Sequence, residues 1–293
     1  MFFQQLVNAI SLGSVYALFA LGFTLIFGVF EVINLSHGTV FMIGCYMSWF
    51  LVTRFHLPLI LAAPIGMFTS GIVGFLIDRF VLKTLRKRNA PHLIPMVATI
   101  GVGIFLTSVF QGAFGVENQR FPVGMTPAIG FDIGDMYISL IDIVTVSVTI
   151  SLMVVLLVYI GFSKQGKAMR AVAENKRAAL LLGINVDKLF ALISFGAGVL
   201  GGAAGILYGI SYNAMSPLMG QSILDKGIAV IILGGMGDIR GAVIGGLFLG
   251  FTEVYSVAYF SSGYRDAVSF GLLFLILLIR PSGIFGKSTA RKD

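Results

Sequence analysis

The composition of this 293-residue chain places it in a membrane. Apolar residues make up 57% of the sequence and charged residues 11%, whereas soluble domains carry about 25% charged residues. With a mean hydropathy of +0.96, a soluble globular protein is excluded. The single cysteine, Cys45, lies in an apolar run, which excludes a disulfide scaffold. The net charge of +7 reflects membrane orientation and not nucleic-acid binding, because no basic soluble module is present.

Nine apolar segments resemble membrane-spanning helices, which need about 20 apolar residues each. The alternation typical of a membrane β-barrel is absent from the sequence. We therefore predict an all-α fold, a polytopic membrane bundle of eight or nine helices in one domain, residues 1–293, with some helices broken or re-entrant. The predicted spans are 5–29, 37–53, 58–80, 93–114, 138–161, 189–210, 224–236 (short), 241–260 and 266–280.

The positive charges are concentrated between particular spans. Fifteen of the 20 lysine and arginine residues fall in the segments 79–88 and 163–188 and in the tail from Arg280 onward. The positive-inside rule predicts that these segments are cytoplasmic. The loop 115–137 then lies outside. The first 30 residues hold no lysine or arginine, which favours an external N-terminus and argues against a cleavable signal peptide.

Two polar or glycine-rich stretches, 31–38 and 234–242, interrupt the apolar runs. Irregular backbone within a membrane must face protein or a water-filled cavity, and broken helices in both halves of a chain point to a transport pathway. The alternative is that both stretches are ordinary cytoplasmic turns. The candidate pathway residues are Asn34, His37, Gly38, Gly235 and Gly237 from these interruptions, together with Glu253 from the span 241–260.

Glu253 lies near the middle of its span, where an ionised side chain is costly and faces the protein interior or a cavity. Both a structural hydrogen-bonding role and a functional role are open for it. Asp225 and Lys226 lie at the end of a span, where we expect their side chains to reach the membrane surface.

The sequence gives no sign of catalysis by this chain. Its three histidines are isolated, and no pair has the spacing of metal ligands, so we predict neither a metal site nor a cofactor. The stretch 161–168 nearly matches a phosphate-binding P-loop. Ala168 lacks the hydroxyl that would bind Mg²⁺, however, and the stretch follows a predicted membrane helix and not a strand. Nucleotide chemistry would therefore come from another chain.

The segment 163–187 is the largest predicted cytoplasmic loop and has helical periodicity. One face carries charged side chains, and Gly183 is placed to end the helix in a left-handed conformation. Two interpretations remain open: a cationic amphipathic helix on lipid headgroups, or a short lever that docks into a cytoplasmic partner. The charged face holds Lys167, Arg170, Glu174 and Arg177, whereas Met169, Val172, Ala173 and Ala179 point away from it.

This segment also resembles a known one. The stretches 166–175, 178–179 and 182–186 are similar to the coupling loop of ABC permeases for branched-chain amino acids, the LivH type. The resemblance extends over the whole chain and includes the motifs at 12–18, 33–38, 234–242 and 280–286. Two departures are visible: Leu35-Ser36 where the family commonly has Phe-Ala, and Arg240 where it often has proline.

The resemblance implies an importer subunit without enzymatic activity in the inner membrane of a bacterium. A related second permease subunit would complete the pathway, and two cytoplasmic ATPase subunits would use ATP and Mg²⁺ to drive it. An extracytoplasmic binding protein would deliver leucine, isoleucine or valine, although relatives carry urea or short amides. The competing hypothesis is an ion-coupled carrier that acts alone through Glu31, His37 and Glu253. The implied ATPase-coupling residues are Gly166, Arg170, Ala173, Glu174, Asn175, Ala178 and Gly183.

Overall fold

A computed structural model describes residues 2–91, 93–122, 129–134, 136–280 and 283–286, and these residues are mostly helical. His92, two residues of the closing motif (281–282) and the charged tail 287–293 lie outside the described residues. Within these residues, eight helices are long and apolar enough to cross a membrane. A ninth, shorter helix of 16 residues also packs within the bundle. The predicted bundle of eight or nine helices is therefore confirmed.

Apart from the loop 115–139, the helices are joined by short connections. The helices are α1 (Phe2–Phe30), α2 (His37–Phe55), α3 (Leu59–Ile77), α4 (Lys83–Lys87), α5 (Leu93–Phe114), α6 (Leu140–Phe162), α7 (Lys164–Glu174), α8 (Lys176–Leu181), α9 (Val186–Tyr212), α10 (Met219–Gly234), α11 (Ile239–Tyr259) and α12 (Arg265–Ile279). A π-helical turn (Asp78–Leu82) joins α3 to α4, and a 3₁₀ turn (Ser262–Tyr264) precedes α12.

A small antiparallel hairpin, β1 (Gly130–Ile133) and β2 (Met136–Ser139), precedes α6. Here the predicted span 138–161 begins too early, because Ser139 is still in the strand. Its hydroxyl caps α6 by accepting a hydrogen bond of 3.3 Å from the backbone N–H of Ile141.

The bundle has an inner set of helices, α1, α2, α9 and α11, around which the more exposed α5, α6 and α12 are arranged. Glycines bring the inner helices into backbone contact. A Cβ atom on Gly44 of α2 would lie 2.5 Å from the Cα of Gly202 in α9, and one on Gly250 of α11 would overlap the backbone of Gly13 in α1. Close approach of backbones is how helices associate in lipid, where burial of apolar surface gives little gain.

The positively charged segments gather at one end of the bundle, which we call the basic end. An ion pair of 3.0 Å between Lys83 and Asp187 joins α4 to the first turn of α9. The segment after α12 is held at the same end, since the N–H of Ile284 donates to the carbonyl of Leu233 at 2.8 Å.

The loop between α5 and α6 lies at the opposite end, together with the start of α1. The side chain of Gln4 forms two hydrogen bonds with the backbone of Tyr137, at 2.8 and 2.9 Å. The indole N–H of Trp49 donates to the carbonyl of Arg120 at 2.9 Å. The start of α1 and the loop 115–139 thus share one end, and the basic segments share the other.

Candidate functional site

The first interruption, 31–38, is a break within the bundle. After α1 ends, Glu31 adopts a left-handed conformation (φ 56°) and the chain turns back along α1. His37, at the start of α2, packs against the rings of Phe19 and Phe23, with centroids 4.8 and 5.6 Å away. Phe19 is eleven residues before Phe30, so α2 begins roughly 16 Å inside the end of α1 at about 1.5 Å per helical residue.

Side chains provide hydrogen-bond partners for the irregular backbone at this break. The Asn34 side chain, which is buried, accepts hydrogen bonds from the N–H and the hydroxyl of Ser36, at 3.1 and 2.6 Å. The N–H of Leu35 donates to the hydroxyl of Thr99 on α5 at 3.1 Å. Irregular backbone is tolerated at depth only with such partners.

Helix α10 also begins inside the bundle, beside the start of α2. After α9 the chain runs back into the bundle, where Met215 packs against Cys45 with a distance of 3.7 Å between their sulfur atoms. At the start of α10, Gly220 meets Gly38 so closely that a Cβ on either glycine would overlap the backbone carbonyl of the other. Two helices therefore start next to each other at depth.

The second interruption, 234–242, is a tight turn at the basic end. Gly235 and Gly237 have positive φ values of 102° and 90°, which glycine adopts at no steric cost. Asp238 then caps α11, accepting from the N–H of Gly241 at 2.9 Å. Gly237 lies beside Gly28 near the end of α1. Of the two interruptions, the first is thus an intramembrane break and the second is a turn.

The candidate pathway residues consequently fall into separate groups. Asn34, His37 and Gly38 lie together at the break, whereas Gly235 lies fifteen residues after Gly220, roughly 22 Å along α10. A second break at depth lies at 213–218, between α9 and α10. This stretch was not predicted as a break.

A cavity of about 450 Å³ opens between the starts of α2 and α10 and the exposed face of α5. Its wall combines aliphatic side chains, among them Ile104 and Leu224, with amide and hydroxyl groups. Asp225 is the acidic group of this wall, and its side chain is exposed. The polar residues of the wall are Thr39, Thr107, Ser108, Gln111, Gln221 and Asp225.

Glu253 is fully buried within a cluster of charged and polar side chains drawn from four helices. The hydroxyl of Tyr16 donates to one carboxylate oxygen at 2.7 Å, and Lys226 forms an ion pair with the other at 2.7 Å. Arg265 also forms an ion pair with this carboxylate. Asp266 lies 3.5 Å from the Lys226 ammonium at the exposed edge of the cluster. The cluster connects α1, α10, α11 and α12.

This cluster corrects one expectation and adds residues that sequence reasoning missed. Lys226 does not extend to the membrane surface, as we expected for a residue at a span end, but turns inward to Glu253. Arg265 and Tyr16 were not singled out. A buried carboxylate requires a compensating cation, so a search for basic residues at the ends of neighbouring spans is the signal that could have found them.

At the basic end, the segment 163–187 forms two helices and not one. Asn175 ends α7 in an extended conformation, and its side chain caps α8 by accepting from the N–H of Ala178 at 3.0 Å. Gly183 has the predicted left-handed conformation (φ 80°) after α8. Of the residues predicted to point away from the charged face, Met169, Val172 and Ala179 are buried, whereas Ala173 is exposed.

The candidate coupling residues are of two kinds. Gly166 is buried where α7 meets the end of α6, and a Cβ there would overlap the carbonyl of Ile160. The guanidinium of Arg170 donates to the carbonyls of Ile160 and Gly161, the final turn of α6. These two residues fix α7 to the bundle. The others are exposed at its surface: Ala173, Glu174, Asn175, Ala178 and Gly183.

Comparison with known proteins gives full-length matches. A family model described as "Branched-chain amino acid transport system / permease component" matches residues 5–277. The chain is 36% identical to the high-affinity branched-chain amino acid transport system permease protein LivH of Escherichia coli K12, over 99% of this chain and 97% of that protein.

Two further relatives differ in how similar they are to the chain. The permease protein BraD of Pseudomonas aeruginosa, from a high-affinity branched-chain amino acid transport system, is 35% identical over 99% of this chain and 98% of its own length. The ribose import permease protein RbsC of Haemophilus influenzae is 23% identical over 94% of this chain and 84% of its own.

Proposed function

The chain belongs to the family of branched-chain amino acid transport permeases. We propose below which cargo it carries, where the pathway lies and how partner ATPases drive transport. It is a multi-pass membrane permease subunit of an ABC importer. Such subunits are not enzymes themselves and work with ATPase and binding-protein partners. The cargo proposed for this chain is leucine, isoleucine and valine. The relatives named as branched-chain amino acid permeases are 35–36% identical to it, whereas the ribose permease is only 23% identical.

The proposed pathway runs along the cavity between α2, α5 and α10. The observation that supports this is the meeting of Gly38 and Gly220, which places the starts of two helices at depth beside a wall of mixed polarity. Aliphatic side chains on this wall suit the side chain of a branched-chain amino acid, and Asp225 suits its ammonium group. The exposed face of α5 leaves the cavity open to the side, where a related second permease subunit would close it.

The proposed coupling element is the exposed part of α7 and α8 within the segment 163–187. It would dock into one of two cytoplasmic ATPase subunits, which bind ATP and Mg²⁺. Gly166 and Arg170 support this role indirectly, because they hold α7 against the end of α6. A movement of the ATPase would therefore be transmitted through α7 to the bundle. The basic end would then be cytoplasmic, with the N-terminus outside and facing the binding protein.

Charge reversal at Glu174 tests this coupling proposal. Glu174 is exposed and forms no ion pair among the described residues, so Glu174→Lys should leave folding intact while disturbing the docked surface. With the complete importer in vesicles, we expect leucine uptake to fall at least tenfold while the inserted amount of protein is unchanged. The matched control is Glu117→Lys at the opposite end, which should transport normally. Normal uptake by Glu174→Lys would mean that the segment is only a lipid-facing helix.

The ion-coupled alternative finds no support in the geometry. A proton relay needs groups that can exchange protons along a path. Glu253 instead has a partner on each carboxylate oxygen, and His37 packs against the rings of Phe19 and Phe23. We therefore propose no energy source within this chain.

A further inference from the structure

A second cavity, of about 460 Å³, lies at the basic end behind α7 and α8. Its wall is formed by the end of α1, the segment after α4, the start of α5, the junction of α7 and α8, and the first turns of α9. The volume falls within the range of about 300–1,000 Å³ that is typical of small-molecule sites. It is separate from the cavity between α2, α5 and α10 and shares no lining residue with it.

One side of this cavity is cationic. Arg86 is fixed in place by Asp78 at 2.6 Å and by the ring of Phe190, whose centroid is 4.5 Å from the guanidinium carbon. Its Nη2 atom is buried and has no hydrogen-bond partner within the described part of the chain. The ammonium of Lys176 lies 5.5 Å above the centroid of the same ring. Arg86 and Lys176 both line the cavity, and their N–H groups can donate charge-assisted hydrogen bonds to a carboxylate.

The other charged groups of the wall are acidic. Glu31 and Glu174 both line the cavity, both are exposed, and neither forms an ion pair with any described residue. Arg86 is already paired with Asp78, so the wall offers its free Nη2 group and the Lys176 ammonium on one side and two carboxylates on the other, which suits a ligand that carries one positive and one negative charge.

Between these charges the floor is apolar. The rings of Phe30 and Phe190 lie against each other with centroids 4.1 Å apart, and Val29, Leu82 and Val172 complete the surface. Such a floor suits an aliphatic side chain of a few carbons.

We propose that this cavity binds a branched-chain α-amino acid from the cytoplasm, as a site of feedback by the accumulated cargo. Arg86 and Lys176 receive the carboxylate, Glu31 receives the ammonium, and the side chain rests on the aromatic floor. A bound amino acid joins the end of α1 to the α7–α8 junction. It therefore stabilises the arrangement in which α7 and α8 lie against the end of α1. Which amino acid binds rests on the proposed function, whereas the charge pattern does not.

Ligand analogues separate the parts of this site. The complete importer, in nanodiscs and without its binding protein, is titrated with leucine, with isocaproate, which lacks the ammonium, and with isoamylamine, which lacks the carboxylate. For Glu31→Gln we expect leucine and isoamylamine to bind about tenfold more weakly, with isocaproate unchanged. The control Glu117→Gln makes the same chemical change at the opposite end and should bind all three like the unaltered protein. A melting temperature equal to that of the unaltered importer shows that Glu31→Gln is folded.

The functional arm uses vesicles with leucine sealed on the ATPase side. Internal leucine should slow ATP hydrolysis, and Glu31→Gln should raise the half-inhibitory concentration by the same factor as the dissociation constant. Uptake into vesicles without internal leucine should be unchanged in this variant. Identical leucine binding by Glu31→Gln and the unaltered importer would overturn the proposal. Loss of uptake in the absence of internal leucine would also overturn it, because the cavity would then serve ATPase docking. If the unaltered importer takes up no leucine at all, the proposed function fails independently of the binding result.

Discussion

A single buried carboxylate organises four helices of this permease. Glu253 compensates Lys226 and Arg265 and accepts a hydrogen bond from Tyr16, so residues from α1, α10, α11 and α12 depend on one another. Within a membrane, each of these charges would be costly without the others. The partly exposed edge of the cluster, at Asp266, contributes less, because solvent screens its interaction with Lys226.

Removal of the central carboxylate should therefore destabilise the protein strongly. Glu253→Ala leaves two cations without their buried partner, and we expect a loss of about 3–5 kcal/mol in the free energy of unfolding. Asp266→Asn is the control, because that side chain is 66% exposed and should cost less than about 1 kcal/mol. Unfolding of the detergent-solubilised protein by heat or denaturant measures both. Equal effects of the two variants would contradict the assigned role of Glu253.

Among the elements, the two helices that begin at depth are the distinctive feature. The glycines Gly38 and Gly220 allow α2 and α10 to start against each other, and larger residues would force the two backbones apart. The break before α2 could be predicted from sequence, because polar residues interrupt an apolar run there. The break before α10 was missed, because only Asn213, Ser216 and Pro217 mark the stretch 213–218 and they are separated by apolar residues.

The same limit applies to the segment 163–187. Its helical periodicity continues on both sides of Asn175, so the sequence predicts one helix where two occur. Asparagine is a favoured N-cap, and this is the signal that could have revealed the boundary. Lys226 faces inward because its partner Glu253 lies on the next helix, and periodicity within one helix does not reveal such a pair.

A methyl group at the meeting point of the two helices tests their role. Gly38→Ala places a Cβ where the carbonyl of Gly220 lies, so we expect lower stability and a leucine uptake reduced at least tenfold. Gly271→Ala adds the same methyl group to α12, where no atom lies within 4 Å, and should be neutral or slightly stabilising. Uptake is measured in vesicles at equal amounts of inserted protein. Normal uptake by Gly38→Ala would show that the close contact is dispensable for transport.

At the scale of the whole molecule, the charges divide the bundle into two ends that face different compartments. The basic end holds α4, α7, α8 and the turn before α11, and the opposite end holds the start of α1 and the β-hairpin. The sequence predicts this division through the positive-inside rule because lysine and arginine act individually at the membrane surface. The proposed orientation places the basic end in the cytoplasm, where ATPase subunits can reach α7 and α8.

Cysteine labelling tests this orientation. Cys45 is fully buried, so Cys45→Ala provides a background without reactive thiols. In intact cells, we expect a membrane-impermeant maleimide to label Glu117→Cys but not Lys164→Cys, since the two positions are exposed at opposite ends. Permeabilised cells, in which both should react, provide the control. The reverse pattern would place the basic end outside and contradict the proposed docking of the ATPases.

We propose that this chain is a pathway without its own energy source, driven by ATPases that dock on its basic end. The most direct test of this proposal is leucine accumulation by proteoliposomes that hold either the complete importer or this chain alone, with ATP or an ion gradient as the energy source. We predict accumulation only by the complete importer with ATP on the ATPase side, and competition by isoleucine and valine but not by urea. Accumulation by the chain alone under an ion gradient, without ATP, would contradict the account.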